Sequence, residues 1–235
     1  MVTRILIARH GNTFTKEQTP TRIGRHTDLP LVEEERGRNL GKYIKAKNLL
    51  PTVIFAAPLK RTMQTAHLAR EEMQINIELR QDNKFLEIDY GIDENKTEAE
   101  VELRLGKMQV LNNGESLANY TIEALQEKGQ QIINDWNKKA LVPAGWQVNP
   151  ELCIQTWLDF AKMVEANYQN KTVMVVSSNG IIRFAPYITQ DFNNFIATNN
   201  IKVATGNLCI FEKSAQDNHW NCTGWNIKPG ICSNM

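Results

Sequence analysis

The stretch "VTRILIARHGNT", residues 2–13, places an apolar run directly before an arginine, a histidine and a glycine. Residues 2–8 predict a short β-strand. A continuous apolar run of this kind is typical of a strand that is buried on both faces, as in a parallel sheet. The polar residues Arg9 and His10 are therefore expected at the carboxyl end of a central strand.

Other parts of the chain repeat this pattern of apolar strands. The further runs are "TVIFAA" at 52–57, "TVMVVS" at 172–177 and the weaker "NLCIF" at 207–211. Between them lie amphipathic helical patterns, at 32–47, 59–73, 115–138 and 151–168. Leu40, Tyr43 and Ile44 form the apolar stripe of the first of these helices. Strands that alternate with helices predict a three-layer α/β/α sandwich with a mostly parallel sheet.

The chain has 235 residues, which is enough for one large domain with a sizeable core. The segment from about 92 to 150 is rich in polar residues and interrupts the alternation of strands and helices. We interpret residues 1–235 as a single domain in which about 92–150 form an inserted helical cap.

Charge and cysteine content narrow the classes of partner. Lys and Arg total 27 and Asp and Glu total 26, so a net charge of +1 favours neither nucleic acid nor a membrane as partner. No apolar run is long enough to span a bilayer, and the first residues do not form a signal peptide.

The cysteines, at 153, 209, 222 and 232, form no C-x-x-C pair. We expect reduced thiols in a cytoplasmic protein that binds no metal.

Polar residues follow each of the strongest strands. Arg9 and His10 follow the first strand, Arg61 follows the second, and Ser178 and Asn179 follow the third. In open α/β sheets, ligands bind beyond the carboxyl ends of the strands. Arginines beside a helix N-terminus form a strong site for a phosphate dianion. The sequence therefore predicts a phosphate site at this edge of the sheet.

Three motifs occur in a fixed order: "RHG" at 9–11, "APLKRTMQTA" at 57–66 and "FLEIDYG" at 85–91. With "TDLPL" at 27–31 and "NGES" at 113–116, they resemble the histidine phosphatase superfamily, which has the phosphoglycerate mutase-like fold. The resemblance extends from residue 4 to about 184. It implies phosphoryl transfer on a small phosphorylated metabolite, without a cofactor or a metal, and it leaves a homodimer open.

The resemblance also implies roles for individual residues. His10 would be the nucleophile that becomes phosphohistidine, and Arg9 and Arg61 would hold the phosphoryl oxygens. Glu87 would protonate the leaving oxygen. These roles agree with the chemistry, because phosphoryl transfer depends mainly on positioning and charge neutralisation. A neutral imidazole is also a competent nucleophile near pH 7.

The third strand departs from the family pattern. "VVSSNGIIR", residues 175–183, places Ser178 where the family usually has a second histidine. Ser178 and Asn179 are expected to bind phosphate, although Ser178 alone would also suit a helix N-cap. Thr13 and Arg22, in the loop after the first strand, are expected to contact substrate. Among the other histidines, His26, in the loop after the first strand, suits a replacement for the second histidine better than His67 or His219.

Several alternatives stay open. The segment "IDENK" at 92–96 differs from the family, and residues 92–120 contain no adjacent arginine pair of the kind that the mutases use. This favours a phosphatase over a mutase. A degenerate member that binds phosphate with little turnover is the other alternative. A serine hydrolase elbow at Ser178 is disfavoured, because Val176 occupies the position of its first glycine.

Overall fold

The structure is a computed structural model, and it describes residues 1–230. Over this range the chain forms one six-stranded sheet with the order β3-β2-β4-β1-β5-β6. The strands are β1 (Val2–Arg9), β2 (Val53–Ala56), β3 (Leu79–Gln81), β4 (Thr172–Ser177), β5 (Leu208–Ser214) and β6 (Asn221–Ile227). Strands β3, β2, β4 and β1 are parallel, whereas β5 pairs antiparallel with both β1 and β6. The predicted mixed, mostly parallel sheet is confirmed.

The described residues also form seven α-helices. These are α1 (Glu35–Ala46), α2 (Lys60–Met73), α3 (Glu98–Asn112), α4 (Ile122–Lys139), α5 (Pro150–Asn167), α6 (Asn179–Ile182) and α7 (Phe192–Thr198). Local sequence fixes several of their first turns. Thr97 and Glu100 form a capping box at the start of α3, and Asn149 caps α5 immediately before Pro150.

The alternation of side chains along the central strands builds two cores. On β1, Ile5 and Ile7 pack on the face that contains Trp157 of α5, and Leu6 and Ala8 pack on the opposite face. That opposite core also contains buried residues of α1 and α2. Because adjacent residues of a strand point to opposite faces, an all-apolar strand supplies both cores. The predicted three-layer arrangement is therefore confirmed.

Helices α3 and α4 lie within the segment that we interpret as a cap, and they pack closely together. A side chain at Gly106 would overlap the Leu125 carbonyl, and one at Gly129 would overlap Glu102. The two glycines therefore let the two backbones approach each other. The interpretation of 92–150 as a cap stays a prediction.

Two further findings concern the cysteine thiols and the apolar character of the helices. Cys153, Cys209 and Cys222 are free thiols, and Cys232 lies outside the described residues. No helix within residues 1–230 combines the length and apolar character that a membrane span requires.

Candidate active site

Strands β1 and β4 bring the first and third polar segments together. Their parallel register pairs Arg9 with Ser177, and the backbone N–H of His10 donates to the Ser177 carbonyl at 3.0 Å. The residues that follow, His10 and Ser178, therefore leave the sheet side by side. The expected convergence at the carboxyl edge is present for these two strands.

His10 is buried, with 3% of its surface exposed. Its Nδ1 lies 2.7 Å from the carbonyl oxygen of Gly11. Because a carbonyl only accepts, Nδ1 carries the proton and a neutral ring keeps its lone pair on Nε2. Burial, followed by the charges of Arg9 and Arg61, holds the pKa of His10 well below its ordinary value. The ring is therefore neutral at physiological pH and nucleophilic at Nε2.

Arg9 lies at the end of β1, and its side chain is hydrogen-bonded to the segment before β5. Its Nη1 donates to the Val203 carbonyl at 2.7 Å, and its Nε has no hydrogen-bond partner within residues 1–230. Burial lowers the pKa of Arg9, and the charge of Glu87 opposes that shift. The guanidinium thus stays charged beside His10 with donor capacity to spare.

Arg61 lies in the first turn of α2, is fully buried, and is one of the charges that act on His10. Its Nη1 donates to the Thr27 carbonyl at 2.7 Å and its Nη2 to the Gly24 carbonyl at 3.1 Å. These hydrogen bonds therefore stabilise the conformation of the loop that contains residues 23–27. Burial lowers its pKa, and Glu87 opposes the shift.

Glu87 lies in the long connection between β3 and α3 and is buried, with 4% of its surface exposed. Its Oε1 accepts from the N–H of Ile88 at 2.9 Å and its Oε2 from the N–H of Gly180 at 3.1 Å. A β-carbon at position 180 would overlap the Glu87 carboxyl, so glycine is needed there. The glycine of the "SSNG" turn thus allows a carboxyl group to approach the end of β4.

The other two polar residues of this turn, Ser178 and Asn179, differ in their hydrogen bonds and in their access to the cavity. Ser178 is fully buried, its side chain does not cap α6, and its Oγ has no hydrogen-bond partner in the described chain. Asn179 accepts a hydrogen bond from the Val203 N–H at 2.8 Å through Oδ1, which leaves its Nδ2 donors free among residues 1–230. Asn179 lines the cavity at His10, whereas Ser178 and Arg61 do not.

The cavity has a volume of about 570 Å³, and Arg9, His10, Glu87 and Asn179 lie in its wall. Arg22 also lines it, stacked over Trp146 at 4.9 Å and paired with Glu98. Thr13 lines a smaller adjoining cavity of about 280 Å³, which shares Arg9 and His10 with the first. Both residues that are predicted to contact substrate thus line cavities that His10 also lines.

Sequence reasoning missed most of the other residues of the cavity wall, including Tyr90, Arg183 and Lys202. Arg183 is 1% exposed, and its guanidinium lies 3.8 Å over the Trp136 ring while Nη1 donates to the Trp136 carbonyl at 2.6 Å. Burial lowers the pKa of Arg183 to about 10. Arg183 stood within the quoted "SSNGIIR" run, but nothing in that pattern showed which way it points.

The remaining histidines do not line this cavity in the described structure. His26 is exposed and contacts Asp89 at 2.9 Å, His67 is exposed on α2, and His219 is exposed in the turn before β6. Within residues 1–230, His, Cys, Asp and Glu side chains form no group of three or more suited to a metal ion.

Known proteins share this sequence pattern and fold. Residues 5–141 match the histidine phosphatase superfamily (branch 1), and the chain belongs to that superfamily. A 2,3-bisphosphoglycerate-dependent phosphoglycerate mutase of Bifidobacterium longum is 27% identical over 109 residues, 45% of this chain and 44% of the mutase. The match thus covers less than half the length of that relative.

Two solved structures share the fold over nearly the whole chain. Phosphoglycerate mutase from Bacillus anthracis str. Sterne has a TM-score of 0.70 at 21% identity, covering 97% of this chain and 94% of that one. A mycobacterial glucosyl-3-phosphoglycerate phosphatase, solved with inorganic phosphate, has a TM-score of 0.65 at 16% identity, covering 96% and 98%. The predicted phosphoglycerate mutase-like fold is confirmed. Both phosphatases and mutases therefore occur among the similar proteins, and phosphoryl transfer is the chemistry that they share.

Proposed function

We propose that this protein hydrolyses a small phosphomonoester through a phosphohistidine at His10. The observation that carries the proposal is the state of His10: a buried neutral ring with its proton on Nδ1, in the wall of a cavity that also contains Arg9. A neutral nitrogen nucleophile beside a fixed cation suits attack on a phosphate dianion.

In the first step, Nε2 of His10 forms a bond to phosphorus as the P–O bond to the leaving group breaks. Glu87, once it carries a proton, gives that proton to the departing oxygen, so that an alcohol leaves. In the second step, Glu87 takes a proton from water, and the oxygen of that water displaces His10 from phosphorus. Phosphate and the starting protein result, which balances the reaction without a redox partner or a metal.

Arg9 and Asn179 are the phosphate donors that the cavity wall supports most directly, since both retain N–H groups without partners among residues 1–230. We extend the proposal to Arg61 and Ser178 as phosphate ligands. Arg61 lies close enough to act on the pKa of His10, and the buried Ser178 hydroxyl has an unused hydrogen-bonding capacity in the described chain. Thr13 and Arg22 would contact the rest of the substrate.

Replacement of the second histidine by Ser178 implies slow turnover. A charged imidazole would stabilise the transferring phosphoryl group, whereas a serine offers a neutral donor on a shorter arm. Loss of one well-placed donor typically lowers the rate by about 10²–10³-fold. We also propose that the reaction needs no metal. Three free thiols support a reducing, cytoplasmic setting.

A mutase is the second candidate, and the partial match to the Bifidobacterium longum enzyme favours it. Residues 92–120 hold Arg104, but that side chain pairs with Asp93 and does not line the cavity. A mutase would move phosphate within a phosphoglycerate, which phosphorus NMR distinguishes from release of inorganic phosphate.

The test is phosphate release from 4-nitrophenyl phosphate and from alkyl phosphates, by the wild-type protein and by His10→Ala. The proposal predicts turnover that His10→Ala abolishes, while circular dichroism shows an unchanged fold. Phosphate binding without turnover by the wild type would instead identify a degenerate binding protein. Full activity in His10→Ala would refute the proposed mechanism.

A further inference from the structure

The three backbone N–H groups of the "RHG" turn are all hydrogen-bonded, but they do not have the same kind of acceptor. The N–H groups of Arg9 and His10 donate to backbone carbonyls beside the ends of β5 and β4, both at 3.0 Å. The N–H of Gly11 donates instead to a side chain, the hydroxyl of Thr65 on α2, also at 3.0 Å. The last bond of the turn therefore depends on one side chain from a different element.

The hydroxyl of Thr65 is used in both directions. Its Oγ1 accepts from the Gly11 N–H and donates to the Arg61 carbonyl at 2.7 Å. An amide only donates and a carbonyl only accepts, so the direction of both bonds is fixed. None of the surface of Thr65 is exposed. A single buried side chain thus joins the turn that holds His10 to the helix that holds Arg61.

The spacing along α2 explains how one helix reaches both groups. Arg61 and Thr65 are four residues apart, so they lie one above the other on the same face of the helix. Arg61 is among the charges that act on His10, which agrees with this face lying against the end of β1. The helix therefore fixes the position of the arginine relative to the nucleophile.

The bond to Thr65 also bears on the orientation of the His10 ring. The Gly11 N–H belongs to the peptide group that joins His10 to Gly11, and the Gly11 carbonyl accepts from Nδ1 of His10 at 2.7 Å. Glycine rotates freely about its backbone, so this carbonyl keeps its direction only if the peptide group before it is held. Thr65 holds that peptide group, and it thereby acts on the nucleophile through the backbone.

A second buried threonine of the same helix makes different contacts. Thr62 is also fully buried, but its Oγ1 donates to the Ala57 carbonyl at 2.6 Å and lies 2.8 Å from the Leu59 carbonyl. Both carbonyls lie in the short connection that leads into α2. Burial on α2 alone does not account for the contact of Thr65 with the turn, and Thr62 provides a matched control.

From these contacts we propose that Thr65 is a positioning residue for the nucleophile, which holds the turn at Gly11 so that His10 keeps its Nδ1–H tautomer and presents Nε2 to the cavity. The inference rests on the proposed function, because it assigns the reacting nitrogen to His10. Among the residues that the structure describes, Thr65 does not line the cavity, so it acts without touching substrate.

Kinetics of matched variants test this role. Thr65→Val replaces the hydroxyl with a methyl group of similar size, and kcat for 4-nitrophenyl phosphate should fall on the order of 10²-fold, as it does when a reacting group is displaced. The inhibition constant of inorganic phosphate should change less than about threefold, since Arg9 and Asn179 are untouched. Thr65→Ser should restore kcat, because it keeps the hydroxyl. Thr62→Val, with the same substitution at the same burial, should leave kcat nearly unchanged.

The ring nitrogens of His10 give a reading that does not depend on turnover. Their ¹⁵N NMR signals report the tautomer, which should be Nδ1–H in the wild type, Thr65→Ser and Thr62→Val, and mixed in Thr65→Val. Hydrogen exchange on the wild-type protein needs no variant at all. The Gly11 amide should exchange on the order of 10²-fold more slowly than an unstructured glycine amide.

Rapid exchange of the wild-type Gly11 amide would overturn the inference, and so would equal losses of kcat in Thr65→Val and Thr62→Val with unchanged His10 signals. If Thr65→Val does not fold, Thr65→Ser decides, because a folded serine variant with a hundredfold loss of kcat would also contradict the role. A wild-type protein that turns over no ester would refute the proposed function alone, since the tautomer and the Gly11 exchange still test Thr65.

Discussion

His10 donates a hydrogen bond from Nδ1 to the carbonyl oxygen of Gly11, the next residue in the chain, at 2.7 Å. The contact is local, so it fixes the tautomer of the ring wherever the "RHG" turn forms. The contact specifies which nitrogen is the nucleophile, and burial together with the charges of Arg9 and Arg61 keeps that nitrogen unprotonated. The same residue that the sequence pattern singles out is thus the one whose environment suits nucleophilic attack.

The first prediction concerns the protonation of His10. Because its pKa lies well below the ordinary 6.5, the ring should stay neutral as the pH falls through 6.5 and gain its proton only in more acidic solution. NMR titration of the ring signals of the free protein measures this, with the His10 signal assigned by its loss in His10→Ala. A titration midpoint at or above pH 6.5 would contradict the charge environment described here.

The second prediction concerns Glu87 as proton donor. Glu87→Gln should slow hydrolysis of alkyl phosphates far more than that of 4-nitrophenyl phosphate, because an alkoxide needs a proton on departure and a nitrophenolate hardly does. The ratio of the two rates is the measurement. An equal fall for both substrates would mean that Glu87 acts by holding the N–H groups of Ile88 and Gly180.

The third prediction follows from the close approach of Gly180 to Glu87. Gly180→Ala should displace the carboxyl and lower kcat/KM for alkyl phosphates on the order of 10²-fold, as small displacements of reacting groups do. Gly230→Ala is the control, since no atom of residues 1–230 lies within 4 Å of a β-carbon added there. In the Glu87→Gln background, Gly180→Ala should have little further effect. Full additivity of the two changes would show that Gly180 acts independently of Glu87.

The fourth prediction concerns Ser178. Its buried hydroxyl has no partner within residues 1–230, so Ser178→Ala should leave the free energy of unfolding unchanged or raise it by up to about 1 kcal/mol. If the hydroxyl donates to phosphate, the inhibition constant of inorganic phosphate should rise about fivefold. Ser178→His should raise turnover if the larger ring fits the turn. Destabilisation by Ser178→Ala with unchanged phosphate inhibition would show a packing role only.

The central strands were predictable because each contains an unbroken apolar run, Ile5–Ala8 in β1 and Val173–Val176 in β4. Residues 2–8 and 172–177 correspond closely to β1 and β4. The short strand β3 and the strand β6 lie at the edges of the sheet, where exposed residues interrupt the pattern, and neither was predicted. Helix α3 was hidden in a polar segment, and its capping box at Thr97 and Glu100 was the signal that would have revealed it.

The residues of the site also divide into those that the sequence predicted and those that it did not. Arg9, His10 and Asn179 lie at or just after the carboxyl ends of β1 and β4, so sheet topology brings them to the cavity. Arg183 and Lys202 reach the cavity through the tertiary packing of the segments after α6 and before β5, and no local pattern records that packing. For Arg61, position in the sequence predicted the neighbourhood of His10, but its hydrogen bonds to Thr27 and Gly24 depend on the path of a loop.

The most direct test of the account is to trap the phosphorylated protein. The wild-type protein is mixed with a labelled aryl phosphate, quenched rapidly under alkaline denaturing conditions and digested, and the label is located by mass spectrometry. The account predicts acid-labile, base-stable label on His10 that His10→Ala lacks. Label on a serine, or turnover with no label on His10 at any quench time, would contradict it.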